Sequence, residues 1–253
     1  MLSCADSKLK THEDVDAFLS REGLREDLEQ YILYYIGKSN DAAFEADPSI
    51  YDTDKYFDCN LLQAVRLLAE IGNEKSMDVL LEGLRQDEAF YEYHYGDALM
   101  EGYVPAIAKL GAGYLDKLMS YAKEPGLYDM AHHVVIEAAG VIYAEHEELR
   151  EELIGWFREL ITFFKEAMDA GDDKHSSHTL MGYLMVTLMG IESEPLLPLV
   201  KEVFEKDYVN QEVCGTYINV SITILTHQDI YSNFDTDIHK FFGWYQMTYE
   251  ENN

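Results

Sequence analysis

A chain of 253 residues, 47% of them hydrophobic, is long enough to bury an extended core, and its 48 acidic against 19 basic side chains leave a formal charge of −29. That charge is spread along the whole chain, so it works against direct partnership with nucleic acid or an anionic membrane; it permits a cationic protein or peptide partner, or a divalent metal, and the competing reading is a solvated surface that mainly keeps the protein soluble. The cysteines Cys4, Cys59 and Cys214 lie far apart with no CxxC or Cys/His spacing, which argues against a disulfide framework and a structural zinc.

The opening MLSCADSKLK has no apolar run behind a basic one, so Cys4 does not read as an exported lipoprotein site. The most apolar segment, Leu180 to Ile191, is too short to span a bilayer. The expected location is the cytoplasm. No Ser/Gly-rich stretch marks a linker. The expected organisation is therefore a single helical-repeat domain, with a cap over 1–24, a repeat core over about 25–208 and an extension over 209–253.

Apolar residues recur at three- and four-residue steps through most of the chain, and period-two alternation is nearly absent, so the expected class is all-α. Residues 13–36 predict a helical pair that caps the stack, with Leu24, Leu28, Tyr31, Ile32 and Tyr35 on one stripe. Leu61, Ala64, Val65, Leu68 and Ile71 line a helix that ends near Gly72, and Met77, Leu80, Leu81 and Leu84 line the next. A second pair runs through Ile107 and Leu110 to Gly111 and then along Leu115, Leu118, Met119 and Ala122, with Pro105 expected in the first turn of its helix.

A third pair sets Ala131, Val134, Val135, Ala138 and Ile142 on one helix and Leu149, Leu153, Trp156, Leu160 and Phe164 on a long second one. The fourth runs from about Ser177 to Gly190, then from Ser193, expected as an N-cap with Pro195 behind it, through Leu199, Val200, Val203 and Phe204. Beyond it, CGTYINVSITIL fits either strand or helix, and Asp237 to Tyr249 reads as a final amphipathic helix.

The segments around Gly72, Gly111 and Gly190 align on an Ile/Leu/Met–Gly turn, with steps of 39 and then 79 residues. Two helices per unit at a period of about 40 belong to the HEAT and armadillo class, an α-α superhelix in which each hairpin must stack on its neighbours to bury its face.

The run LAEIGNEKSMDVLLEGLRQD, followed by YHYGDALMEGYVPAIAKLGAGYLDKL with its Gly96-Asp97-Ala98-Leu99 turn, resembles the bacterial HEAT-like family DUF1186 over roughly residues 25–215. The resemblance implies an α-α superhelix and brings no activity, cofactor or catalytic residue with it. Some relatives append a Cys-rich, zinc-binding tail; with Cys214 standing alone, none is expected here.

Two segments rich in aromatic and acidic residues are expected as loops: Tyr51 to Asp58, with Asp54 and Tyr56, and Phe90 to Asp97, with Tyr91, Tyr93, His94 and Tyr95. Equivalent connections in a solenoid fall on one edge, so the two loops are expected as neighbours, with Asp172 to His178 on the same edge. Tyrosines beside carboxylates suit a Lys- or Arg-bearing ligand; the competing reading is that they pack repeat against repeat. Asp97 reads as the N-cap of a helix that starts at Ala98.

His133 with Glu137, expected on the outward face of their helix, and His175 with His178 beside Asp172 and Asp173 have spacings that a metal could use, but neither completes a ligand set locally. No GxSxG, phosphate loop, GxGxxG or HExxH occurs. The leading expectation is a non-enzymatic scaffold without a cofactor, a monomer or weak homodimer, that binds a basic protein or peptide. Two alternatives are an acidic inhibitor that imitates nucleic acid and a metal-dependent enzyme in the groove. Leu180 to Met189, apolar on nearly every side, is expected to be enclosed by neighbours or to form a dimer contact.

Overall fold

Thr11 opens the first described helix with a capping box: its hydroxyl accepts from the Asp14 amide, and the Asp14 carboxylate accepts from the Thr11 amide, both at 3.1 Å. The computed structural model describes residues 9, 11–39, 61–226, 231 and 234–242. Every described element is helical, and no strand occurs among the described residues. The helices are α1 (His12–Leu19), α2 (Leu24–Ser39), α3 (Leu61–Ile71), α4 (Glu74–Gly83), α5 (Glu88–His94), α6 (Leu99–Gly111), α7 (Leu115–Ala122), α8 (Asp129–Glu145), α9 (Arg150–Ala170), α10 (His178–Met189), α11 (Leu197–Glu205), α12 (Gln211–Cys214) and α13 (Tyr217–Thr226). The chain forms two compact units: the first combines Met1–Leu110 with Asp235–Asn253, and the second is Gly111–Phe234.

In the first unit, α2 packs on both α3 and α4, which pack on each other, and α1 packs on α3. The expected stripes make the contact: Leu24, Leu28, Tyr31 and Ile32 of α2, Val65 and Leu68 of α3, and Met77 and Leu80 of α4 are all buried. Glu29 joins this apolar seam as a buried carboxylate that accepts from Lys75 Nζ at 2.6 Å and from the Ser76 hydroxyl at 2.7 Å. Breaking that pair in E29A costs about 2 kcal/mol, read as a shift in the urea midpoint, while E29Q keeps an acceptor for Ser76 and loses less. Equal midpoints for wild type and E29A would remove Glu29 from the fold's supports.

The chain returns to this unit at Asp235. Buried Arg66 of α3 donates to the Asp235 carbonyl at 3.2 Å and lies 4.9 Å from the Phe241 ring centroid, while His239 stacks on His12 at 4.3 Å. Residues 238–242 are helical, in line with the final amphipathic helix as far as the described residues go.

In the second unit, helices two apart in the chain are neighbours. One row runs α7, α9, α11, α13; the other runs α8, α10, α12; and α7–α8, α8–α9 and α9–α10 pack across the rows. This alternation is what consecutive hairpins give when stacked, because each exposes the apolar stripe that the next must cover. On α9, Leu153, Trp156, Leu160 and Phe164 are buried at the predicted spacing, and Trp156 Nε1 donates to the Leu115 carbonyl at 3.3 Å. Helix α10 is enclosed by α8, α9, α12 and α13, so the enclosure expected for Leu180 to Met189 holds within this unit. The ambiguous CGTYINVSITIL segment is helical, as α12 and α13.

Several local expectations are corrected. Phe90 to His94 is not a loop: Asp87 caps α5 by accepting from the Phe90 amide at 2.9 Å, and the burial of Phe90 and Tyr91 holds the turn of helix in place. Pro105 lies inside α6, which begins six residues earlier at Leu99 rather than one turn before Ile107, so the helix forgoes one amide bond to the Glu101 carbonyl. Asp97 sits within a 3-10 turn over Gly96–Ala98, and the α-helix starts after it at Leu99. Ser193 donates to the Leu188 carbonyl at 2.7 Å instead of capping the helix ahead of it, satisfying an end carbonyl of α10.

Candidate functional site

The first unit carries a run of aromatic rings that joins α2 to α5. Tyr34 meets Tyr35 edge-on at 5.6 Å, Tyr35 meets His94 at 5.3 Å, and His94 meets Tyr93 at 4.8 Å and Phe90 at 4.4 Å. Phe90 is buried beneath, Tyr35, Tyr93 and His94 are half-buried, and Tyr34 with its neighbour Leu33 is about 40% exposed. The helical pitch explains the pattern: Tyr31 and Ile32 face the core, so Leu33 and Tyr34 must turn outward, while Asp87 starts α5 in the phase that buries Phe90 and leaves Tyr93 and His94 at the rim.

The electrostatics at this ladder suit a cation. Lys38 Nζ, one turn after Tyr34, lies 5.2 Å from that ring's centroid. One turn before Tyr34 stands exposed Gln30, polar but uncharged, and α5, which carries Tyr93 and His94, also carries the exposed carboxylates of Glu88 and Glu92. Of the residues singled out in the sequence, Tyr93 and His94 belong to the ladder. Tyr91 and Tyr95 are buried beside it: the Tyr91 hydroxyl donates to the Leu84 carbonyl, and the Tyr95 and Tyr103 hydroxyls meet at 2.9 Å. Burial pushes the Tyr95 and Tyr103 hydroxyls above the ordinary phenol range. Asp97 lies in the 3-10 turn that follows α5. Tyr51, Asp54 and Tyr56 lie outside the described residues. The sequence reading missed Tyr34 as a site residue, although the run Leu33-Tyr34-Tyr35 was the available signal: three large apolar or aromatic residues in a row cannot all face one core.

The second unit holds a buried polar cluster. Glu137 is not on an outward face, as expected, but 5% exposed between α8 and α10, because the Ala138, Gly140 and Val141 stretch of α8 lets α10 pack closely there. Its carboxylate accepts from the Thr187 hydroxyl at 2.8 Å and from the Tyr231 hydroxyl at 3.5 Å, and the Tyr231 hydroxyl also reaches the Thr187 carbonyl at 3.2 Å. Burial raises the Glu137 carboxyl above its ordinary value, against the lowering effect of those two donors.

His133 Nε2 approaches Glu137 at 3.8 Å, and its ring stacks on Tyr183 at 4.0 Å with the planes 1° apart. This approach is not an ion pair near neutrality, because burial pulls the imidazole down to about 4. Neighbouring His132 is likewise pulled down to about 4 by burial, against the opposing charges of Asp129 and Glu124. Neither of its ring nitrogens has a partner among the described residues.

His175 Nδ1 lies 2.7 Å from Asp172, and the histidine's hydrogen bond holds that carboxyl below its ordinary value. Among the described residues, no group of three or more His, Cys, Asp or Glu side chains is gathered as a metal set, around His133 and Glu137 or around His175 and His178. Burial pushes the Cys214 thiol up to about 11, which leaves it protonated and a poor nucleophile at neutral pH. No described helix is long and apolar enough to cross a membrane. No family model, curated protein or solved structure matches the chain.

Proposed function

We propose that the protein is a non-catalytic helical scaffold and that its first unit binds a basic segment of a partner protein on the Tyr34–Tyr35–His94–Tyr93 ladder. The observation that carries this reading is the position of Lys38, whose ammonium lies 5.2 Å from the Tyr34 ring centroid: the ring's face is already a cation seat, on a half-exposed aromatic surface of a chain with formal charge −29. A partner's lysine or arginine exchanges with Lys38 there and gains the carboxylates of Glu88 and Glu92 on α5. The long-range field of the acidic body speeds the encounter. The resemblance to DUF1186, the α-α superhelix it implies and a cytoplasmic location belong to the same proposal.

The test is binding of fluorescent Lys/Arg-rich peptides to wild type and to Y34A/Y93A, whose sites are at the rim, so the variant keeps its fold by circular dichroism. Removing both rings weakens binding about tenfold, the size expected for loss of exposed cation–π contacts together with their apolar area. Affinity also falls as salt rises. Equal binding by the folded variant would sink the ladder as the site, and a library with no binder would sink the basic-partner reading.

A further inference from the structure

The last described α-helix of the second unit presents an apolar face that the first-unit site does not use. On α13, Ile218, Ile222 and Leu225 are 65%, 55% and 58% exposed, while Val220 and Ile224 on the opposite face are buried against the unit. The spacing of four and then three residues places the exposed trio in one stripe, the seam spacing of paired helices. From Val213 to Gln228 the chain has no Asp, Glu, Lys or Arg.

Three hydroxyls of this helix bond back onto its own carbonyls. Ser221 donates to the Ile218 carbonyl at 3.1 Å, Thr223 to the Asn219 carbonyl at 3.0 Å and Thr226 to the Ile222 carbonyl at 2.9 Å. Hydroxyls turned back onto their own helix need no water, so covering this face strands few donors.

We infer that α13 is the contact through which two copies of this chain associate, antiparallel about a two-fold axis at Ile222. Charge decides the occupant. A basic partner gains nothing from a face without carboxylates, whereas two bodies of charge −29 repel wherever their acidic surfaces meet and can approach along an uncharged strip. The stripe also complements itself: with Ile222 on the axis, Ile218 of one copy falls opposite Leu225 of the other, as an isologous contact requires. Three side chains cover on the order of a few hundred Å² per copy, below the ~800 Å² per partner of a standard interface. The dimer is therefore weak, and salt strengthens it by screening the repulsion between the bodies.

Sedimentation equilibrium on the full chain, from about 10 μM to about 1 mM, tests this. Wild type shows a monomer–dimer equilibrium that tightens several-fold between about 50 mM and about 500 mM NaCl. I222E, which brings two carboxylates together on the axis, loses at least tenfold in association at unchanged helicity. Under mild oxidation, I222C crosslinks to itself, mapped by mass spectrometry to position 222 on both chains. A wild type that stays monomeric throughout overturns the inference, as does dimerisation equal in I222E. Protection of α13 amides in the dilute monomer, matching that of α10, overturns it too, since the chain then covers the face itself. Binding of α13 to neutral lipid vesicles without self-association assigns the face to lipid instead.

Discussion

Acidification from pH 7 to pH 4 is expected to destabilise the second unit by about 3 kcal/mol for each of His132 and His133. In the unfolded chain each imidazole takes a proton as the pH falls below its ordinary 6.5, whereas burial withholds that proton in the fold until about 4. Across that window the unfolded state binds more protons, so stability rises with pH and is lost on the way down. Glu137 acts with the opposite sign: its raised carboxyl takes up a proton in the fold before it does in the unfolded chain, which returns part of the loss as the pH falls. The histidines prevail because both are displaced far and in the same direction. Trp156 fluorescence reports this unit; with W244F silencing the other tryptophan, urea midpoints at pH 7 and pH 4 give the loss. H132F, which fills the same buried space with no titrating group, removes about half of the acid response. A response equal to wild type in H132F would refute the assignment.

Gly140→Val is expected to cost about 3 kcal/mol, through overpacking together with the loss of a donor to a buried carboxylate. A Cβ at position 140 would lie 2.5 Å from both Cζ and the hydroxyl oxygen of Tyr231 and 3.0 Å from Thr187 Cγ2. The Tyr231 ring has little room to retreat, because it is 2% exposed and tied to Glu137 and Thr187 by its hydroxyl. The clash therefore pushes the tyrosine off the carboxylate. Y231A opens the space that the valine would fill, so the double variant loses less than the two single losses added together. Gly155 in α9 is the control: nothing lies within 4 Å of a Cβ there, and G155A gains up to about 1 kcal/mol from helix propensity. Thermal and urea unfolding of the four variants measure these effects, and a G140V protein as stable as G155A would show that Tyr231 is not held against α8.

The helices were legible in the sequence wherever one stripe of apolar residues faced one core. Leu61 to Ile71 and Leu153 to Phe164 are of this kind, since a regular three–four spacing leaves no other way to bury the set. The sequence was less legible where a polar side chain chose among partners. Ser193 looks like a cap, but its hydroxyl donates to the Leu188 carbonyl; Asp87 caps α5 just ahead of a segment whose aromatic richness suggested a loop. Glu137 was expected on an outward face with His133, whereas it is buried and accepts from Thr187, 50 residues away, and Tyr231, 94 away. Contacts at such separations leave no mark in local spacing. The ring ladder was half visible for the same reason: Tyr93 and His94 stood out, while Tyr34 gains its meaning from the way α2 meets α5.

Arg66 meets the Asp235 carbonyl across 169 residues of chain. During synthesis the amino-terminal unit emerges first, yet its return segment, with Asp235, His239 and Phe241, is made only after the whole of Gly111–Phe234 has been added. The contiguous second unit can close on itself as it leaves the ribosome, so maturation runs against the direction of translation: the part made first is the part finished last, when Asp235 and Phe241 reach Arg66.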